Sequence, residues 1–239
     1  MSSRFLHRAE SIEIMDDLTC EGEVVNQTLR ELEVINRMLG GNKVTLHGIK
    51  SLLKTSTPPS TITIADLGCG GGDILKEIAL WGRKNKMKLK LTGIDANPNI
   101  ISFAKMNTEG YSEITYAQQN VLSNDFRKNK FDIIIATLFT HHFSDEELVE
   151  LIRSIKSQSA IGIVINDLHR HWFAYHAIRL LTRYFSRSSM VRFDAPVSVL
   201  RAFRRSEIRT LLKKAGVENY SLRWKWAFRW QLIIPSSLA

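Results

Sequence analysis

From residue 60 onward the apolar positions follow two alternating rhythms. Short β-branched runs at 61–66, 88–94, 113–118, 131–137 and 160–166 read as strands. Between them, 73–84, 98–107 and 145–158 repeat their apolar residues at helical spacing. Strand and helix in strict alternation predict a doubly wound α/β sheet. After Asp167 the rhythm breaks: 168–204 is rich in His, Arg, Trp, Phe and Tyr, too long for a loop, and reads as a helical cap. A helix at 206–215, with Ser206 as N-cap and Gly216 as stop, precedes two more strands at about 218–226 and 228–234. These make seven strands, the last two a hairpin whose WKWAFRW segment (224–230) alternates inward aromatics. Before residue 60, Leu29, Leu32, Ile35, Met38 and Leu39 recur at helical spacing and Gly40-Gly41 ends the helix. Pro58-Pro59-Ser60 marks a boundary. The chain thus divides into an N-terminal helical extension, 1–58, and an α/β domain, 59–239.

Composition narrows the class. At 239 residues, 44% hydrophobic and 24% charged, the chain fits one substantial core plus a cap. The longest apolar runs are strand-sized, so no membrane span is expected. The N-terminus lacks a signal-like apolar stretch, which makes cytoplasmic residence the expectation. Cys20 and Cys69 alone build neither a disulfide framework nor a zinc site, and Cys69 reads as a small buried filler. The net charge of +9 is scattered and reads as a solvated basic surface.

The candidate chemistry centres on ITIADLGCGGGD, 62–73. A strand ending in an acid, Asp66, runs into glycines at 68, 70, 71 and 72 and then a helix start. Such a turn lets backbone approach a nucleotide-type ligand closely and offers unpaired helix N–H groups. Asp95 ends the second strand, where an acid accepts hydrogen bonds from ribose hydroxyls. Asp73 reads as the cap of the following helix, and Asn97 as the cap ahead of Pro98.

The spacing is GxGxG rather than the pyrophosphate-binding GxGxxG. It resembles motif I of the class I S-adenosylmethionine (SAM) methyltransferases, and FDIIIATLFTHHFSDEEL (131–148) resembles their fourth motif in small-molecule enzymes. The resemblance covers roughly 60–235 and implies a seven-stranded Rossmann-like sheet with SAM as cofactor. It assigns Asp66, Gly68, Gly70, Gly72, Asp95, Ala96, Asn120, Val121 and Thr137 to the cofactor. Asn120 stands where the family usually has an acid near the adenine, and its carbonyl can still accept from the purine amino group. NAD is disfavoured because Asp73 occupies the position where its fingerprint wants Gly or Ala.

ATLFTHHF contains no proline, unlike the motif that holds a flipped base in nucleic-acid methyltransferases. IVINDLHRHWFAYHAIRLLTRYF (163–185) is similar to a bacterial small-molecule subgroup with a DLHRH segment. The resemblance implies O-methylation of a phenolic, quinone-like or polyketide-derived aromatic acceptor. A neutral histidine at the strand rim can take a phenol proton, so His169 and His171 are the base candidates, His169 first, with His142 third. Of the pair His141-His142, one is expected to line the pocket and the other to be structural. Arg170 could orient an anionic substrate or pair with Asp167, and His176 fits the cap core. No metal site is expected. Methylation of nucleic acid or protein and a non-catalytic SAM-binding scaffold stand as alternatives, and monomer or homodimer is open.

Overall fold

The computed structural model describes residues 3–236. Seven strands form one sheet in the order β3-β2-β1-β4-β5-β7-β6. They are β1 (Thr61–Leu67), β2 (Lys88–Asp95), β3 (Ile114–Gln118), β4 (Phe131–Thr137), β5 (Ser159–Leu168), β6 (Ser221–Lys225) and β7 (Arg229–Pro235). β1 to β5 run parallel, and β7 pairs antiparallel with both β5 and β6, so the predicted final hairpin forms. The order reverses at β1 and β4, which opens a crevice beyond their carboxyl ends where open α/β sheets bind ligands.

The central strands are apolar on both faces because helices cover both. Ile62, Ile64, Ile133, Ile135 and Val164 face α2 (Gly41–Lys54) and α3 (Asp73–Lys84). Their neighbours Ala65, Leu67, Ile134, Ala136 and Ile163 face α5 (Asp145–Gln158) and α8 (Arg205–Lys214). α4 (Pro98–Asn107) follows β2, capped by Asn97, whose side chain accepts from Asn99 and Ile100 N–H.

The helices before residue 58 do not stand apart from the sheet. α1 (Glu23–Met38) packs Val25 and Leu29 against Phe103 of α4. α2 lies on β5 so closely that a Cβ on Gly48 would stand 2.5 Å from Val164. The cap is a helix pair, α6 (Trp172–Phe185) and α7 (Ser189–Arg201).

Three local expectations are revised. Gly41 opens α2 rather than ending α1, since the left-handed residue is Gly40. α8 is capped at Arg204, two residues earlier than Ser206, because Glu207 reaches back to the Arg204 N–H. Asp73 is the first residue of α3, and Gly72 occupies the cap.

Candidate active site

The glycine turn is held against the end of β2. Gly68 and Cys69 N–H both donate to the Ile94 carbonyl, at 2.8 and 3.1 Å, which sets Asp95 beside the turn. Gly68 has φ +64° and faces the Phe139 ring, which a Cβ would overlap, so the position needs glycine twice over. Gly72, at φ +76°, is turned toward the Tyr116 hydroxyl and serves the start of α3. Gly68, Gly70 and Gly71 line the cavity; Gly72, expected among the cofactor contacts, does not.

That cavity measures about 900 Å³ and is walled by the carboxyl ends of the strands, the cap and an N-terminal strap, residues 12–18. Asp194 of α7 accepts from Ile14 and Met15 N–H at 2.7 and 3.1 Å, while Asn97 and Asn99 each donate to the Cys20 carbonyl at 3.1 Å. The strap therefore spans from α7 to α4 over the cavity.

At the glycine end Asp66, Asp73 and Asp95 bring carboxyl groups together. Asp66 is buried with neither oxygen hydrogen-bonded. Burial, then repulsion from Asp73 and Asp95, pushes its carboxyl well above the usual range. Such a group lacks a cationic or hydrogen-bonding partner. Asp95 is also raised by burial, against N–H donation from Asn97, Gly70 and Ala96. Asn120 and Val121 complete this end, but the Asn120 carbonyl already accepts from Leu122 N–H at 2.9 Å, leaving one lone pair. The Thr137 hydroxyl is shared with Thr45 of α2 at 2.8 Å and so braces the wall.

Sequence reading missed a polar group beside this end. Arg229, buried at the start of β7, donates to Asn36 Oδ1 at 3.0 Å and leaves Nε and Nη1 unpaired in the cavity wall. Burial lowers its guanidinium to about 10. Asn36 and Asn42 both donate to Asp73 Oδ2. Nothing in the pattern of β7 distinguishes Arg229 from the other arginines; only its register opposite Leu168 turns it inward.

The other end of the cavity is built on His141. β4 and β5 are neighbours, so the turn 140–142 after β4 meets Asp167 near the end of β5. Asp167 accepts from Thr140 Oγ1 at 2.5 Å, His141 N–H at 3.0 Å, Leu168 N–H at 2.7 Å and His141 Nδ1 at 2.6 Å. Burial raises this carboxyl, but attraction to the His141 ring and the hydrogen bonds outweigh it and leave it at about 2. His141 is itself buried, with Nε2 unpartnered on the cavity wall. His142, half-buried, shares its Nδ1 with Asp16 of the strap at 2.5 Å. Phe139, Phe143, Phe173, Ile178, Leu181 and Val199 supply apolar wall between the two ends.

The DLHRH histidines stay neighbours, their ring centroids 5.6 Å apart, but only one lines the cavity. His169 lines the cavity with Nδ1 unpartnered, edge-on to Trp230 and stacked near Phe228. Burial, then His171 and Arg170, lower its ring to about 4. His171 caps α6, its Nδ1 accepting from Phe173 N–H at 3.2 Å, and lines a second groove together with His169, Arg204, Arg205 and Arg209. His171, the second base candidate, does not line the cavity. Arg170 is buried and donates to the carbonyls of Phe5, Leu6 and Ala202 and to Glu207, so it fastens the N-terminus and α8 rather than a substrate or Asp167. His176 is exposed, not core. Of the cap aromatics, Phe173 reaches the cavity, whereas Tyr184 is 70% exposed.

Comparison with known proteins agrees with this architecture. Residues 64–159 match the family model described as a methyltransferase domain. Over 89 residues the chain is 29% identical to a ubiquinone biosynthesis O-methyltransferase of Methylobacterium sp. (strain 4-46), a stretch that is 37% of this chain and 33% of that protein. The chain therefore spans about a third of the length of that curated relative. Among solved structures, human N-acetylserotonin methyltransferase in complex with SAM superposes with a TM-score of 0.62 at 16% identity, over 90% of this chain and 56% of that one. The plantazolicin methyltransferase BpumL in complex with S-adenosylhomocysteine (SAH) gives 0.63 at 16% identity, over 90% of this chain and 99% of that one. With the seven-stranded order and the glycine turn in place, the chain has the class I methyltransferase fold, and its residues 64–159 match the methyltransferase-domain model.

Proposed function

We propose that this chain binds SAM and transfers its methyl group to an oxygen of a small, largely apolar acceptor, phenolic, quinone-like or polyketide-derived. The observation that carries the reading is one cavity joining the Asp66–Gly68–Asp95 end to the Asp167–His141 pair through an aromatic wall. The orphaned Asp66 carboxylate suits the methionine ammonium, Arg229 the methionine carboxylate, Asp95 the ribose hydroxyls, and Asn120 with Val121 the purine. Bound SAM supplies an electrophilic methyl group on a sulfonium.

The chain supplies alignment, a dry pocket and a base. A phenol ordinarily titrates near ~10, so its proton must leave as the methyl moves. His141 is the better base of the cavity histidines. Asp167 holds its Nδ1–H, keeps Nε2 as the acceptor and stabilises the charge that a captured proton brings. A positioned base of this kind contributes about 10²–10⁴-fold. His169, lowered to about 4, holds a proton too weakly for that task and serves as a polar wall against the acceptor ring. His142 positions the strap through Asp16.

The first test is calorimetric titration with SAH. One-to-one binding lost in Asp95→Ala supports the reading and justifies screening phenols and quinones. No binding by folded protein overturns it and brings forward a non-catalytic scaffold.

A further inference from the structure

Glu13, His141 and His142 meet in the cavity wall, each offering a donor atom within 4.8 Å of the others. Two of these donors are orphans. Glu13 Oε1 and His141 Nε2 are buried, have no hydrogen-bond partner and lie 3.6 Å apart. A hydrogen bond between them would need about 3 Å. Two ligands of one tetrahedral zinc ion, each at about 2.0–2.2 Å, stand roughly 3.4 Å apart. The separation is that of atoms sharing an ion.

The surroundings orient both rings for the same purpose. His141 Nδ1 is held by Asp167 at 2.6 Å and His142 Nδ1 by Asp16 at 2.5 Å. An ionised carboxylate on Nδ1 fixes the proton there and leaves Nε2 with its lone pair, the arrangement found behind metal-ligating histidines. The rings lie close, with centroids 4.4 Å apart and planes tilted 32°. Glu13, Asp16, Asp167 and Asp194 surround the cluster. Against them stands Arg201, which pairs with Asp16, donates to the carbonyls of His141 and His142, and comes within 3.8 Å of Glu13. Arg229 acts electrostatically on Asp167 from β7, and Arg8 is matched by Asp145. Carboxyl groups outnumber cations, so the wall accommodates added positive charge.

We infer that Glu13, His141 and His142 form a binding site for a divalent transition-metal ion of the zinc class, which competes with the acceptor proton for His141 Nε2. Two imidazoles and one carboxylate select zinc, cobalt, nickel or copper over magnesium or calcium, which prefer all-oxygen shells. The site has the three protein ligands of an open zinc centre, with its remaining position toward the cavity. Once Nε2 is coordinated it cannot take a proton, so occupancy silences methyl transfer. That consequence rests on the proposed function; the ion site does not.

The test titrates tag-free, metal-stripped protein with Co²⁺, read by visible d–d absorption, and then displaces it with Zn²⁺. The expected result is one Co²⁺ per chain with a tetrahedral-type band, abolished or weakened at least tenfold in Glu13→Gln. Asp16→Asn removes no ligand and should weaken binding by about 10–100-fold through His142. SAH titration of each sample reports that the protein is folded. One equivalent of Zn²⁺ should stop turnover and EDTA should restore it. A wild type that binds SAH but shows no saturable Co²⁺ band overturns the site, as does a band unchanged in both variants. Stimulation by Zn²⁺ overturns the competition. Co²⁺ binding without SAH binding refutes the methyltransferase reading and leaves the ion site standing.

Discussion

Asp167→Asn isolates the role assigned to the carboxylate behind His141. Asparagine keeps the shape and exchanges one oxygen for an NH₂ group. Oδ1 accepts from His141 Nδ1 and Leu168 N–H, and Oδ2 from Thr140 Oγ1 and His141 N–H. With NH₂ in the Oδ1 place, His141 must move its proton to Nε2, which then accepts nothing. With NH₂ in the Oδ2 place, the His141 N–H is stranded at a cost of about 1–3 kcal/mol of stability. In either orientation the ring loses the negative charge that stabilises its protonated form. The corresponding change in a serine protease triad costs about 10⁴ in turnover. General-base catalysis as a whole contributes about 10²–10⁴, which bounds the loss here at roughly 3–5 kcal/mol of barrier. The assay is single-turnover transfer from radiolabelled SAM to an acceptor that the wild type methylates, with SAH calorimetry alongside. We expect kcat to fall within that range while SAH affinity stays at the wild-type value. Wild-type kcat in folded, SAH-binding Asp167→Asn protein would refute the assignment of His141 as base.

Other perturbations address the remaining parts of the site. Arg229→Gln removes the cation assigned to the methionine carboxylate, and SAH affinity should fall by about 2 kcal/mol, roughly thirtyfold. Binding of 5′-methylthioadenosine, which lacks that carboxylate, should not change; an equal loss for both ligands would make Arg229 merely structural. Gly68→Ala forces a left-handed alanine against the Phe139 ring, and about 1–2 kcal/mol of stability should be lost together with SAH affinity. A wild-type Tm and affinity would contradict the tight turn. His169 has a folded pKa, about 4, below its unfolded value, so the unfolded chain takes up the proton first as pH falls. Its contribution is full above about pH 6.5 and is lost between there and pH 4; discounted for its half-exposed ring, it amounts to about 1 kcal/mol. Urea unfolding at pH 7 and pH 4.5 should show wild type losing about that much more stability than His169→Gln, and parallel losses would count against the buried neutral ring.

Local patterns determined the frame. Strand runs that are apolar on both faces, helices with one apolar stripe and the turn at 68–72 are properties of neighbouring residues, so alternation alone laid out the sheet, its helices and the Asp95 position. The end proposed for the cofactor was legible for the same reason: Asp66, the glycines and Asp95 occur at strand ends that any doubly wound sheet brings together. The end proposed for acid–base chemistry was not. Asp167 and His141 meet because β4 and β5 are adjacent, and DLHRH reads as one motif although only His169 of its histidines lines the main cavity. Glu13 and Asp16 lie on a strap without periodicity, and Arg229 is turned inward only by the antiparallel register of β7. Sequence spacing encodes what a residue does to its own helix or strand. Which lone pair is left free, which carboxylate stays orphaned and which arginine is buried depend on packing between distant segments, and only the tertiary structure decided them.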